Sequence, residues 1–175
     1  NINMFNKDTY INRRKALKNK GLQGLGLLLG NVDTPMNYRD NTYHFRQDSS
    51  FLYFFGLDFQ GLAGVIDFDS GEDYIFGNDV DIEDIIWMGP QVPLKENALK
   101  AGIVNTAPFS ELHSFILKAI EQKRTIQFLP PYRAENKILL EKLLGISSHR
   151  IHEYVSLSLI KAVIDIRSIK EPEEI

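Results

Sequence analysis

Cysteine is absent from the 175-residue sequence, which excludes disulfide bonds, thiolate metal sites and a cysteine nucleophile. Its absence suits a reducing compartment, and we expect a cytoplasmic protein. No apolar run approaches the roughly 20 residues of a transmembrane helix, and the N-terminus lacks a hydrophobic signal core. An excess of positive charge is also missing. The net charge of −3 therefore favours neither nucleic acid nor an anionic membrane as a partner.

Several catalytic and binding motifs are missing as well. There is no G-x-S-x-G turn for a serine nucleophile, and the glycines between positions 21 and 30 match no phosphate-binding loop. His149 and His152 have the i, i+3 spacing of metal ligands, with Glu153 next, but no third ligand lies nearby, so we predict no metal site. The acidic residues between Asp79 and Asp84 lack the glycine and final glutamate of a calcium loop, which favours a solvated helix start.

What remains is the composition of a globular domain, with 43% hydrophobic and 25% charged residues. Early apolar runs are followed by alternating helix and strand patterns, so we predict one α/β domain with a mixed sheet. The predicted helices are 8–20, 93–101, 134–144, one starting at a Ser110 cap and one capped by Ser156 or Ser158. The predicted strands are 25–29, 51–55, 62–68, 74–76, 125–129 and 151–155.

The stretch from Tyr38 to Leu57 has the most distinctive composition in the chain. Phe51–Phe55 reads as a buried strand closed by a glycine, and the polar part before it reads as an ordered connection. Its charged residues Asp40, Arg46 and Asp48 fit two interpretations. They form either an internal network that pins the loop or an edge that faces a ligand or a partner domain.

Two other features bear on function. Trp87, the only tryptophan, fits either a core or interface anchor or the lining of a pocket mouth. Pro172 and the acidic residues after it resemble the first turn of a helix, although the chain stops at Ile175. A helix of one turn is marginal alone, so we expect an N-terminal fragment of a longer protein.

Four blocks together resemble one protein family over nearly the whole chain. They resemble the N-terminal domain of aminopeptidase P, the Xaa-Pro aminopeptidase branch of the "pita-bread" metallopeptidases that includes prolidase and creatinase. The blocks are RQDSSFLYFFG at 46–56, Asp40 with Tyr43 and Phe45, IWMG at 86–89, and RSIKEPEEI at 167–175.

The resemblance implies a three-layer α/β/α sandwich with a mixed sheet of ribonuclease-H-like topology over residues 1–168. Residues 169–175 would begin the catalytic domain. Full-length members remove an N-terminal residue that precedes proline, using two divalent metal ions, usually manganese, held by the C-terminal domain. None of those metal ligands lies in this chain. We therefore expect the fragment alone to be inactive and to bind no catalytic metal.

The resemblance also implies a role for two residues. Trp87 matches a family tryptophan near the site mouth, and Asp40 matches a position in a polar network there. The family's N-terminal domain makes oligomer contacts, in dimers or tetramers, and helps to wall the active site. An arginine that some members carry before the domain junction has no match, because Ile160 and Lys161 occupy that region. Prolidase activity and a non-enzymatic, peptidase-like protein-binding module are the alternatives.

Overall fold

The computed structural model describes residues 5–32, 35–38, 41–42, 45–79 and 92–169, with only the backbone described at 35–38, 41–42 and 148. The described strands are β1 Leu25–Leu29, β2 Pro35–Tyr38, β3 Asn41–Thr42, β4 Ala63–Asp67, β5 Asp73–Phe76, β6 Asn105–Ala107 and β7 Ile126–Phe128. The helices are α1 Lys7–Lys18, α2 Ser49–Phe55, α3 Leu94–Lys100, α4 Leu112–Glu121, α5 Ala134–Leu144 and α6 Leu157–Arg167. Short 3₁₀ helices span Phe109–Glu111 and Ser148–Glu153. No described helix has the length and apolar character needed to cross a membrane.

Five strands form one mixed sheet in the order β6-β5-β4-β1-β7. Strand β4 runs antiparallel to both β1 and β5, whereas β7 is parallel to β1 and β6 is parallel to β5. The carboxyl ends of β1, β5, β6 and β7 therefore lie along one edge, here called the carboxyl end of the sheet. Among the described strands, β2 and β3 pair with each other as a separate two-stranded sheet.

Helices cover both faces of the five-stranded sheet. Alternate residues of β1 point to opposite faces, so Leu28 joins the core under α1, α2, α3 and α6. Leu25 and Leu27 join the second core, under α4, α5 and the 3₁₀ helix Ser148–Glu153. The two cores on either side of a mixed sheet confirm the predicted α/β/α sandwich.

The predicted strand Phe51–Phe55 is wrong, because these residues belong to helix α2. Phe51, Phe54 and Phe55 are completely buried at i, i+3 and i+4, which is helical spacing. Asp48 caps the helix by accepting a hydrogen bond from the Phe51 N–H at 2.9 Å, and Gly56 ends it with a left-handed φ of 68°. A short aromatic run fits a buried strand and a buried helix equally well. In this chain the capping residues Asp48 and Gly56 favour the helix.

The predicted strand at 151–155 is also wrong. Ser148–Glu153 is a 3₁₀ helix, whose buried Ile151 packs into the second core. Ser110 lies inside the 3₁₀ turn before α4 and does not cap that helix, while β6 was not predicted. The other predicted helices and strands described here are confirmed within a few residues, and α5 matches its prediction at both ends.

Strands β4 and β5 pair as a hairpin, and its turn is held by a residue from another part of the chain. Arg124 donates to Asp67 Oδ1 at 2.6 Å and to Asp69 Oδ2 at 2.9 Å, which joins the hairpin to the chain just before β7. Burial alone would raise the pKa of Asp67. Hydrogen bonds from Arg124 and from the N–H groups of Ser70 and Asp69 outweigh burial, and they hold the Asp67 pKa below its ordinary value. The turn therefore keeps a charged carboxylate at neutral pH.

Arg14 is a completely buried cation at the centre of the first core. Its Nε lies 2.9 Å from Asp73 Oδ2, Nη1 donates to the Phe54 carbonyl at 2.8 Å, and Nη2 donates to the Ala101 carbonyl at 2.6 Å. Burial lowers the pKa of Arg14, and the charge of Asp73 opposes that effect. One side chain of α1 thus binds β5 and the last carbonyl groups of α2 and α3.

Replacing Arg14 with methionine is expected to lower the free energy of unfolding by about 3–5 kcal/mol, because it leaves two buried carbonyl groups without a donor and leaves Asp73 with Lys18 as its only described cationic partner. Urea unfolding followed by circular dichroism measures the change. The control is Arg150→Met, which removes an exposed arginine paired with Glu153 and should leave the midpoint unchanged. Equal midpoints for both variants would contradict a central role for Arg14.

Candidate functional site

The two predicted site residues, Asp40 and Trp87, lie outside the described residues. The described residues show only where the two segments begin, and both segments leave strands that finish at the carboxyl end of the sheet. The segment with Asp40 follows β1, and the segment with Trp87 follows β5. Leu29 pairs with Ala63, which pairs with Phe76 on its other side, so the two segments leave strands separated only by β4, roughly 10 Å apart.

The base of the first segment is held by one buried side chain, that of Gln47. Its Oε1 accepts from the N–H groups of Asn31 at 2.8 Å and Asp48 at 3.0 Å. Its Nε2 donates to the carbonyl groups of Leu57 and Phe59, both at 2.9 Å. All four hydrogen bonds that these amide atoms favour are therefore made to the backbone. They join the end of β1, the start of α2 and the chain after α2.

Asn31 completes this connection from the other side. Its Nδ2 donates to the Arg46 carbonyl at 3.0 Å, so the residues on either side of the segment bind each other directly. Gly30 donates to the Leu62 carbonyl at 2.8 Å, and a Cβ atom at Gly30 would lie 2.9 Å from that oxygen. Only glycine fits this approach. We call Gly30, Asn31 and Gln47 the loop clamp.

Asp48, one of the three charged residues singled out in the sequence, has a structural role. Its Oδ2 caps α2, and its Oδ1 accepts from the Tyr132 hydroxyl at 2.9 Å. Burial and the negative charge of Asp48 both raise the pKa of Tyr132, so the phenol stays protonated and can donate. Arg46 is exposed and has no ion-pair partner among the residues that the structure describes. The loop flank is therefore pinned by hydrogen bonds.

The ends of the second segment are pinned in a similar way. Asp79 Oδ1 accepts from the Leu94 N–H at 2.6 Å, which joins the chain before the segment to the first residue of α3. Asn78 Oδ1 accepts from the Phe109 N–H at 3.1 Å. The sequence analysis favoured a solvated helix start at the acidic stretch that begins with Asp79. Asp79 is exposed, but the N–H group that it binds belongs to α3. The three acidic residues that follow it lie outside the described residues.

The remaining candidate metal ligands are not brought together. His149 and His152 are exposed on the 3₁₀ helix over the second core. Across residues 5–32, 35–38, 41–42, 45–79 and 92–169, no three histidine, aspartate or glutamate side chains converge closely enough to hold a metal ion. The carboxyl end of the sheet is therefore the candidate functional surface, defined by the two segments that leave it and by the loop clamp.

An internal network that pins this loop was one of the two interpretations of the sequence, but the partners of Gln47 were not predicted. Gln47 is adjacent to Asp48 in the most distinctive stretch, but its four partners are backbone groups at sequence separations that no periodic pattern reports. The sequence offered one signal, which is the position of Gln47 next to an aromatic-rich stretch. A glutamine that is buried with those aromatic residues needs several hydrogen-bond partners for its amide group.

Comparisons with known proteins agree with this architecture. The family model described as aminopeptidase P, N-terminal domain, matches residues 10–127. Similar solved structures include Escherichia coli aminopeptidase P in complex with substrate, with a TM-score of 0.77, 19% identity, and coverage of 98% of this chain and 41% of that one. They also include proline aminopeptidase P II from Yersinia pestis, with a TM-score of 0.76, 19% identity, and coverage of 97% and 41%.

A further similar structure is E. coli aminopeptidase P with the inhibitor Pro-Leu, with a TM-score of 0.75, 19% identity, and coverage of 98% and 41%. The chain thus spans about two fifths of the length of these proteins. At this identity the likeness shows the fold. A comparison with curated proteins found no match.

Replacing Gln47 with leucine should lower the free energy of unfolding by about 2–4 kcal/mol, because several buried backbone groups lose their partner. The N–H groups of Asn31 and Asp48 should also exchange with solvent faster than those of β4. Hydrogen exchange read by NMR and urea unfolding measure the two effects. Gln122→Leu, at an exposed glutamine, is the matched control. Unchanged exchange at Asn31 would show that Gln47 does not hold the loop.

Proposed function

Because this chain belongs to the aminopeptidase P N-terminal domain family, we propose that it is the non-catalytic N-terminal domain of a metal-dependent Xaa-Pro aminopeptidase. Such an enzyme hydrolyses the bond between an N-terminal residue and a following proline. The observation that carries the proposal is the family match over residues 10–127. The fold supports it along 98% of the chain, and one similar structure holds Pro-Leu as its inhibitor.

In this proposal the chemistry belongs to a catalytic domain outside this chain that holds two divalent metal ions, with manganese as the metal to test. Metal ions held by residues of that domain would supply Lewis-acid chemistry for hydrolysis of the peptide bond. The chain alone would then be inactive. Its own contribution is to limit access to the site and to make contacts between subunits.

The geometry at the carboxyl end of the sheet supports the access role. The segments that contain Asp40 and Trp87 leave the same end of the sheet, and side chains bound to backbone groups fix their bases. A rigid base lets a loop present its residues at a defined position without distorting the core. These two segments are therefore suited to form one wall of a site on a neighbouring domain or subunit.

The activity is tested on the full-length protein that carries this chain. We expect manganese-dependent release of the first residue from an Xaa-Pro-Yaa tripeptide, measured by chromatography, and loss of release when a chelator removes the metal. The isolated chain is the control and should release nothing. Cleavage of Xaa-Pro dipeptides alone would indicate prolidase, and no cleavage of either peptide would favour a protein-binding module.

The access role predicts a length-dependent effect of Trp87→Ala in the full-length enzyme. The ratio kcat/KM should fall about three- to tenfold for peptides of five or more residues and little for tripeptides, because only longer peptides reach the wall. Tyr154→Ala, at a half-exposed aromatic residue over the second core, is the control. Unchanged kinetics for longer peptides, with an unchanged melting temperature, would leave Trp87 a structural role only.

A further inference from the structure

A crevice opens where the connections of two neighbouring parallel strands diverge. After β1 the chain passes to α2 in the first helical layer, whereas after β7 it passes to α5 in the second layer. In open α/β sheets such a divergence leaves a gap beyond the strand ends, and ligands bind in it. Here the gap has a volume of about 570 Å³, within the range of small-molecule sites.

Most of the crevice wall is apolar. Its floor is formed by the ends of β1 and β7, including Leu28 and Phe128, and one side is formed by Ile160, Val163 and Ile164 of α6. Leu28 and Phe128 are buried, whereas Ile164 is 62% exposed at the rim. An apolar group of a ligand would therefore contact buried apolar side chains at the floor and would enter through a solvent-exposed rim.

The rim carries two guanidinium groups and one carboxylate. Arg167 Nη1 donates to the hydroxyl groups of Ser50 at 3.0 Å and Ser49 at 3.2 Å, and Arg133 Nη1 donates to the Val32 carbonyl at 3.0 Å. Among the described residues neither arginine has an acidic partner. The carboxylate is that of Asp48, whose two oxygens already accept hydrogen bonds from Tyr132 and the Phe51 N–H.

Two other arginines that are buried or partly buried have a counter-charge within the domain, and the buried Arg13 lies against aromatic rings and donates to the Tyr53 carbonyl. Arg14 and Arg124 are each paired with aspartate. Arg133 and Arg167 are also partly buried and line the crevice rim, but among the described residues neither forms an ion pair. Asp48 at the same rim is bound to Tyr132 and to the Phe51 N–H, and the Arg167 guanidinium lies 5.5 Å from the centre of the Tyr53 ring. A partly desolvated guanidinium group gains most from a carboxylate, which its planar donors can bind in bidentate geometry.

We propose that this crevice binds a small apolar carboxylate, with the apolar group on the floor and the carboxylate at Arg133 and Arg167. The carboxylate could belong to a free acid or to the end of a short peptide, which share this chemistry. The proposal does not depend on the proposed peptidase activity, because every group that it uses lies in this chain.

The test is an NMR titration of the 175-residue chain with 4-phenylbutyrate and, separately, with N-acetyl-leucine. We expect saturable shifts of the backbone N–H signals of Ser49, Ser50, Tyr132 and Arg167. The uncharged 4-phenylbutyramide should bind about tenfold more weakly, because it lacks the charge that the arginines recognise. Tighter binding of N-acetyl-leucine would indicate a peptide end, and tighter binding of 4-phenylbutyrate a free acid.

Two variants of opposite charge at the exposed rim position separate recognition from folding. Ile164→Glu adds a negative charge near the proposed carboxylate and should weaken 4-phenylbutyrate binding about tenfold. Ile164→Lys makes a similar change in size and polarity and should bind at least as tightly as the original chain. Equal affinity for the acid and its amide, equal affinity in the two variants, or no saturable shift with either acid would overturn the proposal.

Discussion

The buried charge of Arg14 determines how the first helical layer is assembled. A guanidinium group can be buried only if its donors are satisfied, and here the acceptors come from three different elements. The terminal carbonyl groups of α2 and α3 need donors as much as Arg14 needs acceptors. Each requirement is met by the other, so α1 cannot pack on the sheet without bringing the ends of both helices to one point. The position of α2 in turn fixes Asp48 and Gln47.

The carboxyl end of the sheet follows from that arrangement and from the strand order. Since β4 runs against both of its neighbours, β1 and β5 finish on the same side of the domain, and the two edge strands, β6 and β7, finish there as well. Loops that start from one end of a sheet can act together although they are far apart in sequence. The same geometry creates the crevice between α2 and α5. The strand order and strand directions thus determine both where the loops start and where the crevice lies.

Sequence patterns predicted the elements with strong local signals. The boundaries of α5 were predicted because a helix-forming stretch rich in apolar residues ends at Gly145, and β4 and β5 because the turn between them contains Gly71. Phe51–Phe55 was misassigned because an aromatic run has no period of its own, and the deciding contacts involve Asp48 and Tyr10, which packs against Gly56. The loop clamp was missed because Gln47 reaches residues 16 positions before it and 10 and 12 positions after it.

The loop clamp also determines how strongly the loop between Asn31 and Gln47 affects the free energy of folding. When the ends of a segment are bound to each other, the rest of the fold depends on that junction and hardly on the path between its ends. The entropy of closing a flexible loop rises only logarithmically with its length, by roughly 0.6 kcal/mol for each doubling. Insertions, deletions and substitutions within the segment therefore carry a small thermodynamic penalty. The domain can vary the surface that this loop presents while its sheet and helices keep their arrangement.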